Sequence, residues 1–301
     1  MLQNTQNKEN ASNLSARSAG ELVAWGDDSY NKKSDTPTGN NFVEVSAERN
    51  NSVALRSDGT IAAWGRDNEN QISGTPEGND FVAVAAGRNY NLALKEDGSI
   101  IAWGSEYNEL VNRTPTDKGY FAMATGGSHN VAIKQDGSLV SWGFVYDEED
   151  DFVNIHVRDT PKGDGFVAVS ANMDHSLALK EDGTIVAWGR DILGTVDDVP
   201  KDSNFTAISA GVRHNLALRE DGTIVAWGWD VRGEVSSTPT EGGFIKVSAG
   251  FDQSLALKED GTIVAWGHSH RDQRQVEDTP TDNGFIDISS GVFHNVAIRT
   301  K

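Results

Sequence analysis

The chain has 301 residues, 37% of them apolar, no cysteine and a formal charge of −19 at pH 7. The lack of cysteine excludes disulfides and thiolate chemistry, and the acidity opposes binding to nucleic-acid phosphate or an anionic membrane, while suiting solvation or a basic protein partner. No apolar run reaches the roughly 18 residues of a membrane span, and MLQNTQNKENASNLSARSAG has no signal-peptide core, so the expected location is cytoplasmic by default, with secretion left open.

Residues 1–19 carry no hydrophobic pattern. They read as a disordered tail whose removal should change nothing measurable. From residue 20 onward the chain repeats itself. Trp-Gly pairs begin at Trp25, Trp64, Trp103, Trp142, Trp188, Trp227 and Trp266, with spacings of 39, 39, 39, 46, 39 and 39 residues. All seven prolines keep the same phase, from Pro37 to Pro280. The fourth spacing holds a seven-residue insertion near 144–155.

Each unit reads as four short strands. FVAVSAG is the first and HNLALKE the second. An Asp-Gly turn follows, for which a two-residue hairpin loop with both residues at φ > 0 is expected. TIVAWG is the third, rich in β-branched and aromatic residues. The polar stretch leading to Thr-Pro is a weak fourth strand, where proline suits an edge. The chain starts with GELVAWG (20–26), a third strand without its first two. It ends with FIDISSGVFHNVAIRT (285–300), a first and second strand without a third. Pairing the two halves gives one composite blade and leaves no free edge. The predicted fold is therefore all-β: a seven-bladed β-propeller of four-stranded antiparallel blades over residues 20–301, closed by its own termini.

The unit SAGxxHNLALKEDGTIVAWG resembles the repeat of the regulator of chromosome condensation family. The likeness runs over nearly all of residues 20–301. It is nearest to bacterial members, among which are secreted inhibitors of β-lactamases. The resemblance implies a propeller that binds proteins rather than one that catalyses. Two roles known in the family do not carry over. Chromatin binding uses a basic tail, and residues 1–19 hold only Lys8 and Arg17. Photoreception uses a tryptophan in a motif similar to GWRHT, and the matching GVRHN has Val212 there.

No GxSxG elbow, P-loop, HExxH or dinucleotide fingerprint occurs, so neither enzyme activity nor a cofactor is expected. His129, His175, His214 and His294 share one repeat position with Asn51, Tyr90 and Gln253. Seven-fold spacing keeps them too far apart for a metal. Hydrogen bonding to neighbouring backbone is the expected role.

The Asp-Gly and Thr-Pro ends are monotonous, so binding is expected on the opposite, variable face. Arginine, methionine and aromatic residues there are candidate anchors. They are Arg49, Arg88, Met173, Arg213, Phe251, Asp252 and Phe293 of the inner loops, with Trp229 and Tyr146 of the outer loops. The acidic run Asp147–Asp151 in the insertion offers a dock for a basic partner. The functional reading is a monomeric, non-enzymatic protein-binding scaffold, with inhibition of a hydrolase such as a β-lactamase as a specific form. A carbohydrate-binding propeller is the alternative.

Overall fold

The computed structural model describes residues 14–105, 109–143, 155–269 and 273–300. Seven three-stranded antiparallel sheets form the blades. Blade 1 is typical: inner strand Phe42–Ala47, middle strand Asn51–Arg56, outer strand Ile61–Gly65. Blades 2–6 repeat it over residues 81–104, 120–143, 166–189, 205–228 and 244–267. Blade 7 is the composite. Glu21–Gly26 pairs with His294–Arg299 from Glu21↔Arg299 to Gly26↔His294, and Phe285–Ser290 completes the sheet.

The expected fourth strand is not formed. Among the described residues, the stretch after each Trp-Gly is a compact turn, with a 3-10 turn at Ser29–Asn31 and a single α-helical turn at Ile155–Arg158, followed by extended chain. In four of the loops an aspartate three residues past the tryptophan explains this. Asp230 Oδ1 accepts the N–H groups of Val235 and Ser236, and Asp28, Asp67 and Asp191 do the same in their loops. Local side-chain bonding of this kind outcompetes a ladder. The N–H bonds hold the carboxyl of Asp230 below the usual carboxylate range.

The Asp-Gly hairpins also differ from expectation, because only the glycine has φ > 0. In blade 1, Gly59 (φ +80) donates to Arg56 O, and Arg56 N–H donates to Thr60 O. This is a type I turn followed by a left-handed bulge residue. Asp58 Oδ1 receives the Thr60 N–H at 3.0 Å. Packing demands glycine as well, since a Cβ on Gly59 would lie 2.1 Å from Asn79 O of the next blade.

Middle strands are buried almost along their whole length, as in Val53, Ala54 and Leu55. The core is a ring of inter-blade layers rather than one centre. Leu216, Leu218 and Ile224 of blade 5, for instance, pack on Phe244, Val247 and Trp266 of blade 6. The seven repeated tryptophans are all buried in such layers. Each indole N–H reaches back to the preceding outer loop: Trp227 to Thr195 O, Trp266 to Glu234 O, and Trp25 across the closure to Gln275 O.

A second circuit runs through the polar start of the middle strands. The expectation of backbone partners holds for Tyr90, whose hydroxyl donates to Gly126 O, and for Gln253, whose amide donates to Gly291 O, while every member of the position also bonds a side chain of the next blade. Asn51 bonds Asn91, Tyr90 bonds Asn130, His129 bonds Ser176, His175 bonds Asn215 and His214 bonds Ser254. Gln253 reaches Ser290, and His294 closes the ring on Ser52 at 2.7 Å. Pairing with the next blade satisfies the buried polar groups on both sides.

Inner strands line the axial channel. Their free edges are capped by the preceding blade: Ser46 Oγ accepts Ala86 N–H, Ser209 Oγ accepts Ala249 N–H, and Ser289 Oγ accepts Ala47 N–H. The tail boundary at residue 19 is also corrected. Leu14–Ala16 forms a 3-10 turn, and Leu14 is buried against Val43, Val53 and Leu55. Arg17 pairs with Glu44 of the channel wall at 2.8 Å and donates to Val82 O. Residues 14–19 thus dock at the Asp-Gly end of the channel, and cutting at 19 would remove real contacts.

Candidate functional site

The opposite end of the channel carries the variable loops. The inner loops join inner to middle strands, and the outer loops follow each Trp-Gly. Backbone bonds hold the two sets side by side. The N–H two residues past the tryptophan donates to the inner loop of the same blade. Arg66 bonds Asn50 O, Arg190 bonds Asp174 O, Trp229 bonds Arg213 O and His268 bonds Asp252 O, all at 2.7–2.9 Å. The repeat therefore fixes the backbone and leaves the side chains free to vary.

A pocket of ≈ 580 Å³ lies at this end of the axis, with inner-loop residues of five blades in its wall. Five sequence-predicted anchors meet there: Arg49, Arg88, Met173, Phe251 and Phe293. Arg66, Lys32 and Tyr30 join them from the outer loops. The Arg49 guanidinium sits 5.2 Å from the centre of the Phe293 ring, and that of Arg66 lies 5.2 Å from Tyr30. Stacking of this kind holds a charged group at a surface without neutralising it. Lys32 is different. It is fully buried, 2.6 Å from Asp27, and donates to Arg49 O. It braces the Arg49 loop.

Glu48 stands at the channel mouth, where five of the other blades have glycine at the equivalent position. Burial pushes its carboxyl up, against the pull of the Arg49 N–H and of the Arg49, Arg88 and Lys32 charges.

Arg213, Trp229 and Asp252 form a neighbouring cluster. The Arg213 guanidinium lies 4.7 Å from the Phe251 ring centre and 5.6 Å from Trp229. Asp252 is buried, with Arg213 at 3.9 Å and Arg232 at 3.5 Å. It is the internal counter-ion of this cluster, which corrects its placement as an exposed anchor. Burying a carboxylate is costly unless cations offset it, and these two arginines do so. Trp229 is half-buried against Arg213, so it folds partly onto its own blade. Tyr146, the acidic run 147–151 and the rest of the insertion from 144 to 154 lie outside the described residues.

Sequence reading missed Arg66, Lys32 and Arg232. The signal was present: all three sit at fixed offsets from a Trp-Gly pair, two, seven and five residues past the tryptophan. Among the described residues, no group of three or more His, Cys, Asp or Glu is placed to hold a metal, and no helix is long and apolar enough to cross a membrane.

The regulator of chromosome condensation (RCC1) repeat family matches residues 81–109, 166–194, 205–234 and 244–273. The chain carries four stretches that match the RCC1 repeat, on a β-propeller fold. Prp20p of Saccharomyces cerevisiae superposes with a TM-score of 0.75 at 16% identity, covering 99% of this chain and 94% of its own. Human WBSCR16 does so with 0.73 at 14%, covering 94% and 99%. The ectodomain of the Arabidopsis thaliana receptor kinase ACR4 gives 0.65 at 20%, covering 86% and 90%. At these identities the likeness to the solved structures is one of fold. No curated protein sequence matches the chain.

Proposed function

We propose that the chain is a non-enzymatic protein-binding propeller that engages its partner through the variable loop face. One observation carries this reading. The loop face gathers unlike residues from five blades into one pocket, whereas the opposite mouth of the channel is occupied by residues 14–19 of the chain itself. Rigid scaffolds that display variable loops at one end commonly bind there. Structures of the same fold support the reading, since yeast Prp20 is described with binding to Gsp1p and histones and in a complex with Kap60. A lectin built on the repeat would offer equivalent groups in every blade. Here the pocket wall holds arginine from blades 1 and 2, methionine from blade 4 and phenylalanine from blades 6 and 7.

The test is capture of partners from a lysate of the source organism. The wild type is compared with a variant carrying Arg49→Ser, Arg88→Ser, Phe251→Ser, Phe293→Ser and Trp229→Ser. Circular dichroism should first show the variant folded. A protein retained by the wild type and lost from the variant is the expected outcome. Identical proteins on both baits would contradict it. Titration against a panel of β-lactamases tests the inhibitory form of the proposal. One-to-one loss of hydrolysis would support that form, and full activity with excess propeller would refute it.

A further inference from the structure

Some cations of this acidic protein have a carboxylate on the Asp-Gly side: Lys95 with Asp80, Lys118 with Asp97, Lys134 with Asp117, Arg219 with Asp202, Lys258 with Glu241 and Arg299 with Asp282, whereas Arg56 and Lys180 there form no ion pair among the described residues. Around the loop-face pocket, Arg49, Arg66 and Arg88 form no close ion pair among the described residues, and the one carboxyl that feels the charges of Arg49 and Arg88 is that of Glu48, which burial pushes toward its neutral form. A chain with 45 acidic residues against 26 basic ones could have neutralised them readily. Instead, Arg49 and Arg66 lie over aromatic rings, 5.2 Å from each ring centre, which hold the cations without removing their charge. An arginine fork presented in this way matches a carboxylate bidentately.

The apolar wall completes the picture. Met173, Phe251 and Phe293 line the same pocket. Beyond it, the alternation of cation and ring continues through Arg213 to Trp229 on one side and through Arg66 to Tyr30 on the other. That line runs from the outer loop of blade 5 to those of blades 7 and 1. It suits an extended chain in which acidic and apolar side chains alternate.

We propose that this pocket receives an acidic peptide segment of the partner, its carboxylates held by Arg49, Arg66 and Arg88 and its apolar side chains laid on Met173, Phe251 and Phe293. The inference rests on the loop face being the binding surface and adds the chemistry of what binds. A long polyanion such as nucleic acid is disfavoured by the charge of −19, whereas a short segment meets only the local field.

The experiment is selection of a random dodecapeptide display library on the immobilised full chain. Binding of recovered peptides is then measured by anisotropy at low and high salt. Peptides enriched in Asp and Glu, interspersed with aromatic or aliphatic residues, are expected. Their affinity should fall at least tenfold on Arg49→Ser/Arg66→Ser/Arg88→Ser and should fall as salt rises. The Arg49→Lys/Arg66→Lys/Arg88→Lys variant should retain part of the binding, which separates loss of charge from loss of fold. Neutral or basic peptides would overturn the inference. If such peptides still require Phe251 and Phe293, the loop-face reading survives that result. Acidic peptides that bind the triple serine variant undiminished would overturn the inference, and no enrichment at all would count against both.

Discussion

Deletion of residues 285–301 unfolds the propeller. The truncation removes the inner and middle strands of blade 7, and with them every ladder partner of Glu21–Gly26. It also opens both circuits at their closing points. Ser52 loses His294, and Ala47 N–H loses Ser289 Oγ. Val296 and Ile298 leave Phe42 and Trp64, while Phe285, Ile288 and Ala297 leave Trp25 and Leu255. At about 1.5–3 kcal/mol for each large apolar side chain, the loss approaches the whole stability of an ordinary domain, about 5–15 kcal/mol. The expected result is loss of the near-ultraviolet tryptophan signal and of any cooperative melt. A truncated protein with an unchanged melting curve would refute closure by the composite blade.

Acid should unfold the intact protein at a pH well above that of ordinary carboxylate protonation. Four histidines of the inter-blade ring are fully buried, and the Nδ1 atoms of His129, His175, His214 and His294 have no hydrogen-bond partner. A proton added there would be a buried charge with no acceptor. Burial accordingly pushes all four down, His214 to about 4 and His294 to about 3. The stacking of His129 on His156, with ring centres 4.6 Å apart, adds repulsion if both are charged. The unfolded chain takes up these protons near pH 6.5, whereas in the folded chain His214 does so only near pH 4 and His294 only near pH 3, with His129 and His175 held down in the same direction. Stability is therefore full above pH 6.5 and falls as pH drops toward the folded values. His214 and His294 alone contribute on the order of 3–5 kcal/mol each to that fall. Exposed Asp-Gly carboxylates, lowered by their threonine and serine partners, act with the same sign at still lower pH. Thermal melts at pH 7 and pH 4.5 should differ by on the order of 10 °C or more. Replacing His214 and His294 by Gln and Asn, the types found at Gln253 and Asn51, should flatten the dependence. Equal melting temperatures from pH 7 to 4.5 would contradict this account of the ring.

The repeat made the blade number and the closure legible, because seven registers of Trp-Gly and an offset pair of half-units admit few other arrangements. The fourth strand was misread because an aspartate three residues after tryptophan looks like any polar loop residue until its carboxylate is seen holding two N–H groups. The histidine position was recognised as structural, but its partner lies 40 residues or more away along the chain and no local pattern reveals it. Leu14 and Arg17 gave no periodic signal, since a single docked turn has no period. At the site, side-chain type singled out Arg49, Arg88, Met173, Phe251 and Phe293, which share a pocket. Type alone could not separate them from Asp252, whose burial follows from two arginines on different loops.

The most direct test of the loop-face claim is a hydrogen-exchange footprint of the propeller bound to a captured partner. Slowed exchange confined to peptides spanning 48–50, 87–89, 229–232, 251–252 and 292–293 is the predicted result. Protection on the Asp-Gly turns, or around residues 14–19 with the loop face unchanged, would contradict it.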